Sequence, residues 1–167
     1  MNRTKPLWRK VNTRTHGVVH GGGKARWDRT TKAAQCNDGM RGSMHAGRRH
    51  GRDYTPLFRF LQARVGRAWA AVHAEALARL DDPDPIFWLV ALHADAGEPV
   101  VRYGESSYFR GLYVDAAGNL SFVAPTLTAA DLWPLCSCCT HTLDGERFVQ
   151  PFDPARAHLP WPDKGSG

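Results

Sequence analysis

Four residues in one short run have the chemistry to hold a metal. Cys136-Ser137-Cys138-Cys139-Thr140-His141 contains a C-x-x-C pair, Cys136 and Cys139, interleaved with a C-x-x-H pair, Cys138 and His141. A C-x-x-C turn lets two thiolates grip one zinc at about 2.3 Å while the amides of the turn stabilise the sulfurs. Structural zinc takes four ligands, and six consecutive residues are not expected to wrap all four sides of a tetrahedron. The remaining ligands are therefore expected from afar: Cys36, His45 or His50, or the His16 and His20 pair at H-x3-H spacing. Such a site would staple the N-terminal region to the body. The run reads equally as unliganded, partly buried thiols, because a single C-x-x-C has no matched second pair. A redox C-x-x-C is disfavoured, since no βαβ pattern precedes it.

A second chemistry lies at the other end of the chain. Residues 1–52 hold thirteen Lys or Arg and two acids, a net +11, while the remaining 115 residues hold nine and fourteen, a net −5. A basic arm on a mildly acidic body points to a polyanion as partner. The expected phosphate contacts are Arg9, Lys10, Arg14, Lys24, Arg26, Arg29, Lys32, Arg48, Arg49 and Arg52, with Trp8 and Trp27 stacking on unpaired bases. Arg offers phosphate a flat fork of donors, and base–aromatic stacking contributes about 1–3 kcal/mol per base. Frequent Gly and the lack of a helical or strand period predict an extended arm, with ordered packing beginning at Asp53. In composition alone this arm resembles the extensions by which ribosomal proteins thread into folded RNA.

Several enzyme signatures fail on inspection. His20-Gly21-Gly22-Gly23 spells an oxyanion loop, but no G-x-S-x-G elbow accompanies it; Gly104-Glu105-Ser106-Ser107-Tyr108 lacks the second Gly. Gly21-Gly22-Gly23-Lys24 lacks the hydroxyl residue and the spacing of a phosphate loop. Glu105 beside Ser106 and Tyr108 reads as a strand connection rather than a catalytic base. His73 reads as an ordinary, partly buried His.

The elements that must position these residues are legible in outline. Thr55-Pro56 reads as an N-cap followed by Pro at the first helical position, and apolar steps of three and four from Leu57 to Leu80 predict two helices, 55–64 and 67–80, broken at Gly66. The seven-residue run Ile86 to Leu92 is read as a buried strand, against the helix-start signal of Asp84-Pro85. Val100 to Tyr103 is a strand. Tyr108 to Val114 and Leu120 to Val123 form a hairpin around Asp115-Ala116-Ala117-Gly118-Asn119. Tyr103, Tyr108, Phe109 and Tyr113 are expected to divide between the core and the outer face rather than to form a stacking platform. Thr128 to Asp131 fits a capping box, Asp144-Gly145 a turn, and Arg147 to Phe152 a last strand.

The expected fold is α+β: a small antiparallel sheet of three or four strands packed on two helices, preceded by the long basic arm. The expected division is an arm over 1–52, a globular domain over 53–155 and an extended tail over 156–167. With no apolar run near the 20 or so residues that span a bilayer and no secretory signal, the expected compartment is the cytoplasm. The expected function is non-enzymatic RNA binding, in a ribosome or another ribonucleoprotein, with rRNA or other structured RNA as partner, ribosomal or other proteins as neighbours, zinc as the candidate cofactor and no membrane. The weaker alternatives are a zinc-dependent nuclease and an interaction or inhibitor module for an acidic protein.

Overall fold

The computed structural model describes residues 4–10, 52–104 and 106–156. Arg14, Lys24, Arg26, Trp27, Arg29, Lys32, Arg48, Arg49, Cys36, His16, His20, His45, His50 and Glu105 lie outside the described residues. Those described form a mixed α+β body with three small sheets and three helices.

Helix α1 spans Thr55–Gln62 and buries Leu57, Phe58, Phe60 and Leu61. Its start differs from expectation. Thr55 lies inside the helix, the N-cap position falls to Tyr54 with no side-chain cap, and Asp53 before it takes up Thr55: its Oδ1 accepts from the Thr55 amide at 3.0 Å and from the Thr55 hydroxyl at 2.7 Å. A carboxylate at this end also suits the helix dipole. Helix α2 spans Trp69–Leu77 and buries Val72 and Ala76. The break between the two falls at Gly66, whose φ of +90° disfavours any side chain. The linker backbone is also bound to a neighbouring hairpin. Gly66 donates to Leu120 O at 2.7 Å, Trp69 to Gly118 O at 2.8 Å, and Leu120 back to Arg67 O at 2.9 Å. His73 is half-buried and stacks on Trp69 with ring centroids 5.0 Å apart.

The run Ile86 to Leu92 is not the expected strand. Ile86–Leu89 is a helix, α3, and only Val90–Ala91 is extended, as β3. The start signal prevails for a local reason. Asp82 Oδ1 accepts from the Asp84 amide at 3.1 Å, and Pro85 already holds helical angles, φ −59° and ψ −22°. β-branched and aromatic content is the weaker influence where both an Asx turn and a preset φ favour the helical turn.

The sheets carry a second correction, because two of the pairings are parallel. One sheet has the order β3-β6-β7, where β6 is Leu112–Val114 and β7 is Leu120–Phe122; β3 pairs parallel to β6, and β6–β7 is the expected antiparallel hairpin. The other has the order β4-β5-β8-β9: Val100–Tyr103, Ser107–Arg110, Thr142–Leu143 and Glu146–Arg147, with β5 parallel to β8. The expected single strand from Tyr108 to Val114 is thus divided at Gly111 between two sheets. A Cβ at Gly111 would lie 1.7 Å from Glu98 O, so only glycine lets the chain cross there. The expected last strand over 147–152 is reduced to β9.

β1, Arg9–Lys10, pairs antiparallel with β2, Arg52–Asp53. Just before it, Leu7 is 3% exposed, and its amide donates to Arg79 O at 3.1 Å. Packing therefore begins well before Asp53, and residues 11–51 connect two paired strands. The larger core gathers Leu7, Tyr54, the buried face of α1, Val72, Ala76, Ile86, Leu89 and Phe109. A smaller one gathers Val100, Tyr108, Leu127, Ala129, Leu132 and Leu143. Tyr103, Tyr108 and Phe109 are buried in these cores, and Tyr113 is half-buried, so they form no open stacking face.

Candidate metal centre and cationic groove

The cysteines lie on an irregular segment tied down at both ends. Before it, the Thr128 amide and hydroxyl both bond Asp131 Oδ2 at 2.8 Å and start the 3-10 turn Ala129–Asp131, which sets Ala129 and Leu132 into the smaller core. After it, β8 and β9 close around Asp144-Gly145, whose φ values of 53° and 91° make the tight two-residue turn. Asp144 also binds the body: its Oδ1 accepts from Gln62 Nε2 at 2.7 Å, and its Oδ2 from Arg110 Nε at 2.6 Å. Residues 132–141 between these anchors form neither helix nor strand.

Within that segment the three thiols converge. Cys136, Cys138 and Cys139 Sγ all lie within 4.8 Å of one another, a group of three ligand atoms that could hold a metal ion. Cys138 donates to Cys136 Sγ at 3.3 Å and lies 3.7 Å from Cys139 Sγ. The hydrogen bond from Cys138 pulls the Cys136 thiol below its ordinary pKa, whereas Cys139, beside Cys138 and then Cys136, is pushed up to about 11. Adjacent thiols resist shared ionisation, and a cation is what removes that conflict.

His141 stands outside that group of three but against it. It is 3% exposed, and its Nε2 is 3.9 Å from Cys136 Sγ and accepts from the Leu135 amide at 3.3 Å. Because an amide can only donate, Nε2 carries the lone pair. Nδ1 therefore holds the proton and donates to Cys139 O at 3.2 Å. Burial lowers the His141 pKa and favours this neutral ring. The imidazole stacks on Tyr108, centroids 6.1 Å apart, and tilts against Phe148 at 5.6 Å. The Tyr108 hydroxyl is fully buried and has no hydrogen-bond partner. Burial raises its pKa, the Arg102 charge opposes the rise, and Cys136 and Cys139 add to it. Tyr108 and Phe148 belong to the site, although no local pattern marks them: they reach it only through the pairing of β5 with β8 and the turn into β9.

Four residues expected at the nucleic acid are described. Arg9 pairs with buried Asp53, and Arg52 pairs with Asp81 and covers the Trp8 ring, its Cζ 4.6 Å from the centroid. These three residues clasp the β1–β2 stem; Arg9 and Lys10 are both exposed there, and Arg52 is half-buried. Beside the stem, a groove of about 490 Å³ is lined by Lys5, Arg9, Arg59, Arg64 and Arg79 with Trp8 and Phe60. Arg64 and Arg79 both lie over the Phe60 ring and share Glu75, at 2.8 and 3.4 Å. No helix among the described residues is long and apolar enough to cross a membrane. No protein-family model matches the chain, and no curated protein or solved structure matches it either.

Proposed function

We propose that the protein is a non-enzymatic RNA-binding module of a ribonucleoprotein, in which residues 11–51 take the phosphate backbone and the body positions them. One observation carries the reading. Residues 11–51 hold eight Lys or Arg and two acids, a net +6 that equals the charge of the whole chain; the other residues balance at fourteen each. The affinity for polyanions therefore belongs to this segment, with Arg14, Lys24, Arg26, Arg29, Lys32, Arg48 and Arg49 as phosphate donors and Trp27 as a stacking residue. The paired stem and the cationic groove beside it support this reading, because both ends of the segment leave the body next to further positive charge.

Zinc is the metal this reading gives the cysteine centre, in a structural role. Thiolates beside an imidazole are soft ligands that suit it, and the segment it would fasten has no helix or strand of its own. The decisive measurement is RNA binding by fluorescence anisotropy over a salt series. A variant with residues 12–50 replaced by a short Gly-Ser linker should lose at least about 100-fold in affinity while its thermal unfolding stays cooperative, since loop length alone changes stability little. Equal affinity in the linker variant, or no binding by the full chain in low salt, rejects the reading.

A further inference from the structure

We propose that Cys136, Cys138, Cys139 and His141 form a complete Cys3His zinc centre, closed within six residues and needing no ligand from residues 11–51. The proposal rests on the zinc reading above and adds the identity and local origin of the fourth ligand.

The first argument is the spacing of the atoms. A tetrahedron with zinc–sulfur bonds of about 2.3 Å and a zinc–nitrogen bond of about 2.0 Å has edges of roughly 3.5–3.8 Å. The distances here are 3.3 and 3.7 Å between sulfurs and 3.9 Å from Cys136 Sγ to His141 Nε2. Cys136 and Cys139 Sγ also lie within 4.8 Å of each other, while His141 stands outside that mutual distance, so binding draws exposed Cys138 and half-buried Cys139 toward Nε2.

The second argument is the tautomer. A ligating His almost always gives its other ring proton to a carbonyl or carboxylate. His141 does so already, to Cys139 O, and keeps the Nε2 lone pair, which accepts from the Leu135 amide and lies 3.9 Å from Cys136 Sγ. Zinc replaces only the long hydrogen bond from the Leu135 amide. The ring needs little ordering, because Tyr108 and Phe148 flank it and the Phe148 amide bonds the His141 carbonyl at 2.9 Å.

The third argument is the surroundings. Three thiolates around a dication leave a net charge of −1, and the thiol protons go to solvent. The Arg102 charge acts on both Tyr108 and His141, so it opposes that excess. The buried Tyr108 hydroxyl has no hydrogen-bond partner, and Cys136 and Cys139 act on it electrostatically. A buried hydroxyl with no bond costs about 1–3 kcal/mol, a cost that a thiolate drawn within its reach would remove.

The test is metal content and cobalt spectroscopy on the full chain. Purified protein should carry one zinc, and cobalt exchanged for it should show tetrahedral bands with thiolate charge transfer. Cys36→Ser and His45→Ala should leave both unchanged. His141→Ala should weaken zinc by more than the roughly 10–100-fold that loss of an outer partner causes. His141→Cys, which keeps four ligands if the alanine variant fails to fold, should retain zinc and strengthen the charge-transfer band. Loss of metal in the Cys36 or His45 variants, or an unchanged cobalt spectrum in both His141 variants, overturns the proposal while leaving zinc binding intact. A full chain that takes up no zinc overturns the zinc reading and this proposal together.

Discussion

His141 Nδ1 and the Cys139 carbonyl lie 3.2 Å apart, and this one hydrogen bond decides which ring nitrogen faces the thiols. A histidine two residues from a cysteine thereby keeps its Nε2 lone pair for the Leu135 amide, 3.9 Å from Cys136 Sγ.

Metal removal should loosen the cysteine segment and weaken the whole body. With free zinc 1,000-fold above its Kd, binding adds about 4 kcal/mol to the folded state. For a body of this size that corresponds to roughly 10–20 °C in Tm. Calorimetry with and without chelator reads the difference, and identical melting curves would refute a structural metal.

Tyr108→Phe separates the hydroxyl from the ring. The stacking on His141 and Phe148 stays, while the buried, unpartnered hydroxyl is removed. Zinc affinity should fall by about 10-fold and the cobalt charge-transfer band should shift. A competition titration against a chelating dye is the measurement, and unchanged affinity would remove Tyr108 from the site.

Asp53 makes stability depend on acid. Burial opposes its ionisation, but the Thr55 hydroxyl, the Thr55 amide and Arg9 outweigh burial and hold its pKa below the ordinary aspartate value. The stabilisation is therefore complete above the unfolded aspartate range, near pH ~4, and is lost as pH falls through the lower, folded value. Asp53→Ala should cost about 1–2 kcal/mol at neutral pH, from the lost bonds to Thr55 and the unpaired Arg9. The variant's urea midpoint should depend less on pH between about 2 and 5 than that of the parent, and parallel curves for the two would contradict this account.

Two glycines should respond differently to alanine. At Gly66 a Cβ meets open space, so only the positive φ resists, at about 1–2 kcal/mol. At Gly111 the new atom strikes the Glu98 carbonyl, and the cost should reach about 3 kcal/mol or more. Chemical denaturation of the two variants gives the ranking; equal losses would mean the chain crosses between sheets less tightly than described.

The cations should sort by position. Arg9→Ala and Arg52→Ala should lower stability by about 1 kcal/mol each, because their partners are Asp53 and Asp81, with a smaller effect on RNA affinity. Arg48→Ala with Arg49→Ala should leave stability unchanged and reduce the salt slope of RNA binding by about 0.7 for each phosphate no longer neutralised. Paired measurements of melting and salt-dependent anisotropy separate the two groups, and a reversed pattern would move the binding surface onto the stem.

The sequence by itself determined what rests on neighbours in the chain. The helix pair broken at Gly66, the hairpin around Asp115-Ala116-Ala117-Gly118-Asn119, the strand from Val100 to Tyr103 and the turn opened by Thr128 all follow from periodicity, caps and positive φ. Local signals misled where two of them competed, as at Ile86–Leu89, where the bound Asp82 and preset Pro85 outweighed strand-forming side chains. Only tertiary structure decided what depends on the meeting of distant residues. The parallel pairings of β3 with β6 and β5 with β8 leave no mark in either strand alone, because pairing direction depends on how the connections run. The stem of Arg9–Lys10 on Arg52–Asp53 joins residues more than forty positions apart, across a segment whose composition carries no pairing signal. At the cysteines, composition named the ligand types, while the β5–β8 pairing brought Tyr108 against His141 and the bends at 137–139 turned three sulfurs toward one another. The kinds of ligand set which metal is suitable; their directions in space decide whether one can be held.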